Sequence, residues 1–274
     1  MRQPEVQVAV ARKGGGKTYI TAQEVIAPYV IDTPTWKARK VLIYDVNGEY
    51  GVANTRDKLK VKWEAKTLAL KDLAEWTRSG KAEVRRILPL NDKNEFTQDI
   101  DQMVDILRVI LKTFRNGLLL LEDINAYLID VSSKDIISAI TRNRQKGCDI
   151  LIHYQSFRAI PPRIWANCNS VRFHRTNENI STVENKINNA EVFYIAQALV
   201  NHKFKTDIRF YCYVDNEMDT ITGAFSKKDY WIACYIYLKE NKPDILRLAF
   251  NRFGANSEVA FKYCISELMK YYGN

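Results

Sequence analysis

Short β-branched or leucine-rich runs alternate with helical stretches over the first 175 residues. That alternation predicts a mostly parallel sheet covered by helices on both faces. Val6 to Val10 reads as a strand ending in a glycine cluster, and a helix is expected from Lys17 to about Tyr29. Val41 to Val46 is a second buried strand and Arg86 to Leu90 a third. Between them, residues 54–84 carry alternating Lys58, Lys60 and Lys62 and a helical piece around Leu68 to Trp76. From Glu95 to Phe114 the positions Phe96, Ile100, Met103, Leu107, Ile110 and Phe114 recur at helical spacing, with acids in the first turn and Lys112 and Arg115 in the last. Gly117 ends that helix, and Leu118 to Leu121 is a fully apolar strand closing on Glu122 and Asp123. A helix from about Ser133 to Arg144 and a strand from Asp149 to Gln155 complete another unit. Beyond Val171 the pattern changes. Ile208 to Val214 and Thr220 to Phe225 alternate around Asp215-Asn216-Glu217, a hairpin signal. Helices are expected from Lys228 to Glu240 and from Ser257 to Tyr272. The organisation read from this is a core over residues 1–190 and an extension over 191–274, a hairpin plus helices forming a lid or small subdomain.

Composition narrows the class. A chain of 274 residues, 46% hydrophobic and 27% charged, buries a sizeable globular core without staples. No stretch approaches the roughly 20 apolar residues of a membrane-spanning helix, and the start, MRQPEVQVAV, lacks the apolar core of a signal peptide. A cytoplasmic protein with no membrane partner is expected. The five cysteines form no CxxC pair and read as small apolar residues in a reducing compartment. With 41 basic against 32 acidic side chains, the net charge of +9 favours a polyanionic partner, nucleic acid first. Charge alone does not separate DNA from RNA or a membrane surface.

The chemistry concentrates in three places. Residues 11–18 read Ala-Arg-Lys-Gly-Gly-Gly-Lys-Thr, which matches the phosphate-binding pattern G-x-x-x-x-G-K-[ST] except that Ala11 replaces the first glycine. A strand feeding a glycine turn aims backbone N–H groups inward, and the next helix adds its N-terminal dipole. Lys13, Gly14, Gly15, Gly16, Lys17, Thr18 and Tyr19 are therefore the expected ATP-binding residues. Lys17 would reach the β- and γ-phosphates, and the Thr18 hydroxyl would help hold Mg2+. At the end of the Leu118–Leu121 strand, Glu122 and Asp123 supply the carboxylates that ATP hydrolysis needs. Glu122 is expected on the metal and Asp123 on the attacking water, an order reversed from the usual acid pair. From Arg142 to Arg175, seven basic residues stand against one acid, Asp149.

Val41-Leu42-Ile43-Tyr44-Asp45-Val46-Asn47-Gly48-Glu49-Tyr50 resembles the second-strand motif of HerA-type translocases, an apolar strand followed by D-x-x-G-E-Y. Asp149 to Gln155 resembles the strand ending in a sensor glutamine in the HerA/FtsK superfamily. Arg142-Asn143-Arg144-Gln145-Lys146-Gly147 is similar to its basic element that supplies an arginine finger. With Asn167-Cys168-Asn169 and the strand to Arg175, the resemblance spans about residues 5–180. It implies an α/β P-loop NTPase of the additional-strand (ASCE) class, with a mostly parallel sheet between helices and a small C-terminal extension. It further implies ATP hydrolysis in a homo-oligomeric ring. Gln155 would sense the γ-phosphate, and Arg144, or else Arg142, would act on the neighbouring subunit's site. Within that superfamily, compact size and the lack of a membrane segment point to a viral genome-packaging ATPase that translocates double-stranded DNA in the host cytoplasm. A portal or capsid component is then a further partner. Two other readings stay open: a phage-assembly or conjugation ATPase of the zonula-occludens-toxin-like kind, and a nucleotide-binding scaffold without turnover. Trp231, Tyr235, Tyr237, Tyr271 and Tyr272 could stack on bases or pack as core.

Overall fold

The computed structural model describes residues 3–127, 134–142, 146–254 and 257–274, and the chain divides into two compact units. The first comprises residues up to Ala9, Gly16–Gln155 and Ala159–Cys168. Its strands are β1 (Val6–Val10), β2 (Lys40–Tyr44), β3 (Lys66–Thr67), β4 (Val84–Ile87), β5 (Gly117–Leu121) and β6 (Asp149–Tyr154), in the spatial order β3-β4-β2-β5-β6-β1. β2 runs parallel to both β4 and β5, β3 to β4, and β5 to β6. Every residue of β5 is buried, as a central strand covered on both faces requires. The register sets Tyr44 beside Leu121 and Leu121 beside Ile152. The carboxyl ends of β2, β5 and β6 therefore emerge side by side, where open α/β sheets bind their ligands.

The helix after the glycine loop runs as α1 (Lys17–Ile20), a widened π turn (Thr21–Ile26) and α2 (Ala27–Tyr29). The widening has a visible cause. The Ala27 N–H donates to the Ala22 carbonyl, five residues back, and the Trp63 indole N–H donates to the same oxygen at 3.1 Å. Ala22 and Ile26 pack with Ala9, Val41, Ile43, Leu118, Leu120 and Leu151 in the core on one side of the sheet. The remaining helices of this unit are α3 (Leu73–Arg78), α4 (Ile100–Thr113), α5 (Lys134–Arg142) and α6 (Pro162–Trp165).

The second unit comprises Val10–Gly15, Ser156–Arg158 and Asn169–Asn274. Strands β7 (Ser170–His174), β8 (Tyr211–Asp215) and β9 (Thr220–Thr222) pair antiparallel in that order, and the predicted hairpin is β8–β9. Helices α7 (Ala190–Lys203), α8 (Lys227–Asn241), α9 (Pro243–Phe253) and α10 (Glu258–Ser266) complete it. Ser226 and Asp229 cap α8 reciprocally. Glu191 of α7 accepts from the Tyr237 hydroxyl at 3.0 Å and the Tyr271 hydroxyl at 2.9 Å, and pairs with Lys242. Tyr237 and Tyr271 are thus buried core residues, whereas Tyr235 is exposed. All five cysteines are free and buried. Among the described residues no helix is long and apolar enough to cross a membrane.

Among the departures from the sequence reading, four have a clear cause in the residues. α4 starts at Ile100, not near Glu95, because the Asp99 side chain caps it by accepting from the N–H groups of Asp101 and Gln102. The expected strand Arg86–Leu90 sits at Val84–Ile87, since Pro89 has no N–H to give a ladder. α7 carries no amphipathic period in the sequence, because Val192, Phe193, Ile195, Ala196, Leu199 and Val200 are all buried. α9 was masked by Pro243, which looks like a breaker but occupies the first helical turn.

Candidate active site

The glycine loop owes its shape to backbone torsions that only glycine adopts freely. Gly14 and Gly16 have φ of 77° and 82°. At Gly15 a Cβ would stand 3.0 Å from the Arg12 carbonyl oxygen and 3.1 Å from the Ala11 side chain. The Gly15 N–H closes a turn on the Arg12 carbonyl at 3.0 Å. α1 starts at Lys17 straight after Gly16, with no side-chain cap. Lys13 is exposed, while Tyr19 is half-buried and packs against the core.

Lys17 is buried, and its ammonium donates to Asp123 Oδ1 at 3.1 Å and to the Tyr154 carbonyl at 3.4 Å. The other Asp123 oxygen, Oδ2, accepts from Asn47 Nδ2 and from Gln155 Nε2, each at 2.9 Å. Asn47 follows β2 and Gln155 follows β6, the two strands flanking β5. One carboxylate therefore collects the loop lysine and a carboxamide from either side. Asp123 reaches it from a left-handed backbone, φ 40°. Burial pushes its carboxyl pKa up. The Lys17 charge and the hydrogen bonds from Lys17, Gln155 and Asn47 outweigh that and hold it below the usual aspartate value.

Beside it the Thr18 hydroxyl donates to Glu49 Oε2 at 2.7 Å. Glu49 titrates above its ordinary value: burial raises it most, the Thr18 hydrogen bond opposes, and the charges of Glu122, Asp123 and Asp45 add to burial. Asp45 holds the local turn by accepting from the N–H groups of Glu49 and Tyr50 at 2.8 and 3.1 Å and pairing with Arg86 at 3.0 Å.

Glu122 lies behind this surface, 1% exposed. Its Oε1 accepts from the Tyr50 hydroxyl at 2.6 Å and faces His153 Nδ1 at 2.9 Å. His153 Nε2 in turn meets the Thr21 hydroxyl at 2.8 Å, on the helix that follows the glycine loop. Adjacent residues at a strand end project to different sides, so the reversed acid order gives Asp123 the position beside Lys17 and Glu122 the buried one.

The structure thus brings Lys17, Thr18, Asp123 and Gln155 together and adds Asn47 and Glu49. Glu49 was visible in the D-x-x-G-E-Y motif, but nothing in the sequence singled out Asn47 or His153. Arg142 is not among them; it ends α5 exposed, its Nε donating to the Ser138 carbonyl at 3.2 Å. Arg144 lies outside the described residues. Among the described residues no three His, Cys, Asp or Glu side chains are grouped to hold a metal ion. Magnesium carried on a nucleotide needs only one or two protein oxygens beside the phosphates, and the Thr18 hydroxyl with the Glu49 and Asp123 carboxylates is a hard-oxygen set of that kind.

Comparison with protein-family models finds no match, and comparison with curated proteins finds none either. Among solved structures, the genome packaging NTPase B204 from Sulfolobus turreted icosahedral virus 2 in complex with ATP-gammaS superposes with a TM-score of 0.53 at 16% identity, covering 81% of this chain and 97% of that one. The same NTPase in complex with AMP gives 0.52 at 17% identity, with the same coverage. At such identity the likeness is one of fold, and it is the expected P-loop NTPase fold with a mostly parallel sheet.

Proposed function

We propose that this chain is an ATP hydrolase that drives double-stranded DNA into a viral capsid, working as a homo-oligomeric ring. The observation that carries the reading is the junction at Asp123, where the loop lysine and the carboxamides of two flanking strands converge on one carboxylate. The fold shared with a genome packaging NTPase and the net charge of +9 support it. The capsid portal remains the implied docking partner.

In this reading Lys17 and the N–H groups of the 13–16 loop hold the β- and γ-phosphates. Magnesium, bound with ATP, would supply positive charge at the phosphates; Thr18 would hold it together with Asp123, which was expected on the attacking water but faces Lys17 at the head of the loop helix. Glu49, with its raised pKa, is suited to take the proton of the attacking water. Gln155 orients the γ-phosphate. Glu122, first expected on the metal, is reassigned: sealed between Tyr50 and His153, it positions the helix carrying Lys17 and Thr18 through Thr21. An arginine from the neighbouring copy, Arg144 or Arg142, neutralises charge in the transition state, a contribution of about 10³-fold or more.

The direct test is ATP binding and turnover by wild type and Lys17→Ala. Turnover should vanish and binding weaken, because the loop then lacks the cation that meets the phosphates. A Lys17→Ala protein that hydrolyses ATP at the wild-type rate refutes the assignment.

A further inference from the structure

Two features of the first unit lie outside the Lys17–Asp123 junction. One is a groove of about 340 Å³ between α4 and α5, floored by Leu111, Ile136 and Ala139. Its rim carries four cations: Arg108, which pairs with Asp105 at 2.7 Å, and Lys112, Arg142 and Lys146. Burial, with the neighbouring Arg115 and Arg142 charges, pulls the Lys146 ammonium below its ordinary pKa. Like charges gathered around an apolar floor call for an anionic occupant that also carries an apolar anchor.

The other feature is the chain entering α4. Phe96 and Ile100 are 42% and 41% exposed, and the exposed acids Asp92, Glu95, Asp99 and Asp101 flank them in the chain, with one exposed base, Lys93. This segment is preformed. Leu90 and Phe96 pair as an antiparallel bridge, and the Thr97 N–H donates to the Pro89 carbonyl at 2.9 Å. The Asn91 side chain accepts from the N–H groups of Lys93 and Glu95. A rigid hook of this kind loses little entropy on docking.

We infer that the acidic hook of one copy of this chain docks its exposed Phe96 and Ile100 into the basic α4–α5 groove of the next copy. Charge and apolar character complement at both patches. A copy's own groove is out of reach of its hook. Ile100 opens α4 and Leu111 lies eleven residues along it, about 16 Å at 1.5 Å per residue. Hook and groove are unlike patches, so the contact is head-to-tail and propagates into a ring or an open chain. Docking has a catalytic consequence, which rests on the ATPase reading above. Phe96 lies against Gly48, where a Cβ would come within 3.1 Å of its ring. Gly48 stands between Asn47 and Glu49 of the nucleotide site, and Arg142 is on the groove rim. A groove seated on the hook carries its Arg142 toward the neighbour's phosphates.

Self-association of the full chain, measured by sedimentation over a concentration series with ATP-gammaS, tests this through a charge swap. Glu95→Lys and Lys112→Glu should each weaken assembly by about tenfold or more. The chain carrying both should reassemble, since every hook–groove pair is again complementary, and a folding defect cannot be repaired that way. ATP binding by the monomer should be the same in all four proteins, and turnover should fall and return with assembly. A monomeric wild type, single variants that assemble normally, or a double variant as weak as the singles would overturn the inference. The predicted charge-swap pattern in a protein that binds no ATP would instead refute the ATPase reading and leave the interface standing.

Discussion

Asp123 and Glu122 are neighbours in sequence with unlike surroundings, and substitutions should separate them. Asp123→Asn removes the charge that faces Lys17, and turnover should fall by about 10²-fold or more with the fold intact. Glu122→Gln disturbs a buried hydrogen-bonded carboxylate instead and should cost about 1–3 kcal/mol of stability, read as a lowered thermal midpoint. The pKa directions give a second check. Asp123 has a folded pKa below its unfolded value. Its stabilisation is complete above the ordinary aspartate pKa and drains away as pH falls through the depressed one, so Asp123→Asn should flatten the acid end of the stability profile. Glu49 is shifted the other way. If it must be ionised to accept a proton, the acid limb of kcat/KM lies above the ordinary glutamate value, and Glu49→Gln removes that limb together with most of the rate. The loop residues Gly14 to Thr18 were legible because phosphate chemistry constrains residue type and spacing. The division of labour between Glu122 and Asp123 was not, because it depends on which side of the strand end each projects to, and on Tyr50 arriving from the turn after β2 and His153 from β6.

The strand order β2-β5-β6 explains why the site assembles where it does, and β5 starts in close contact with β2. A Cβ at Gly117 would come within 2.5 Å of the Lys40 carbonyl oxygen on β2 and 2.7 Å of the Phe114 ring. Gly117→Ala should therefore push β5 off β2 and lower stability by about 1–3 kcal/mol, seen in denaturant unfolding, with hydrolysis falling as the Asp123 junction loosens. Removing the α4 cap with Asp99→Ala should cost about 1 kcal/mol and leave nucleotide binding intact. Period and run length made the parallel strands legible. The α4 start was hidden because its apolar period continues upstream into the hook, and only the Asp99 side chain marks the boundary. The π turn was hidden because the Trp63 indole that holds it open comes from 41 residues away.

The chain carries nine more positive than negative charges, and in the proposed motor that excess would bear on the DNA more than on the nucleotide. Contacts made by lysine and arginine to phosphates position a protein without reading bases, and they release counterions, so affinity falls steeply with salt. Composition favoured a polyanionic partner, yet no residue pattern told which surface would meet it. The central claim is that ATP turnover at the Lys17–Asp123 site is coupled to duplex DNA. The most direct measurement is the steady-state ATPase rate of the assembled protein with and without double-stranded DNA of unrelated sequences, from low to physiological salt, beside Lys17→Ala. The account predicts stimulation by any duplex, fading as salt rises, and no turnover in Lys17→Ala under any condition. A rate that ignores DNA at every salt concentration, measured on assembled protein, would contradict it.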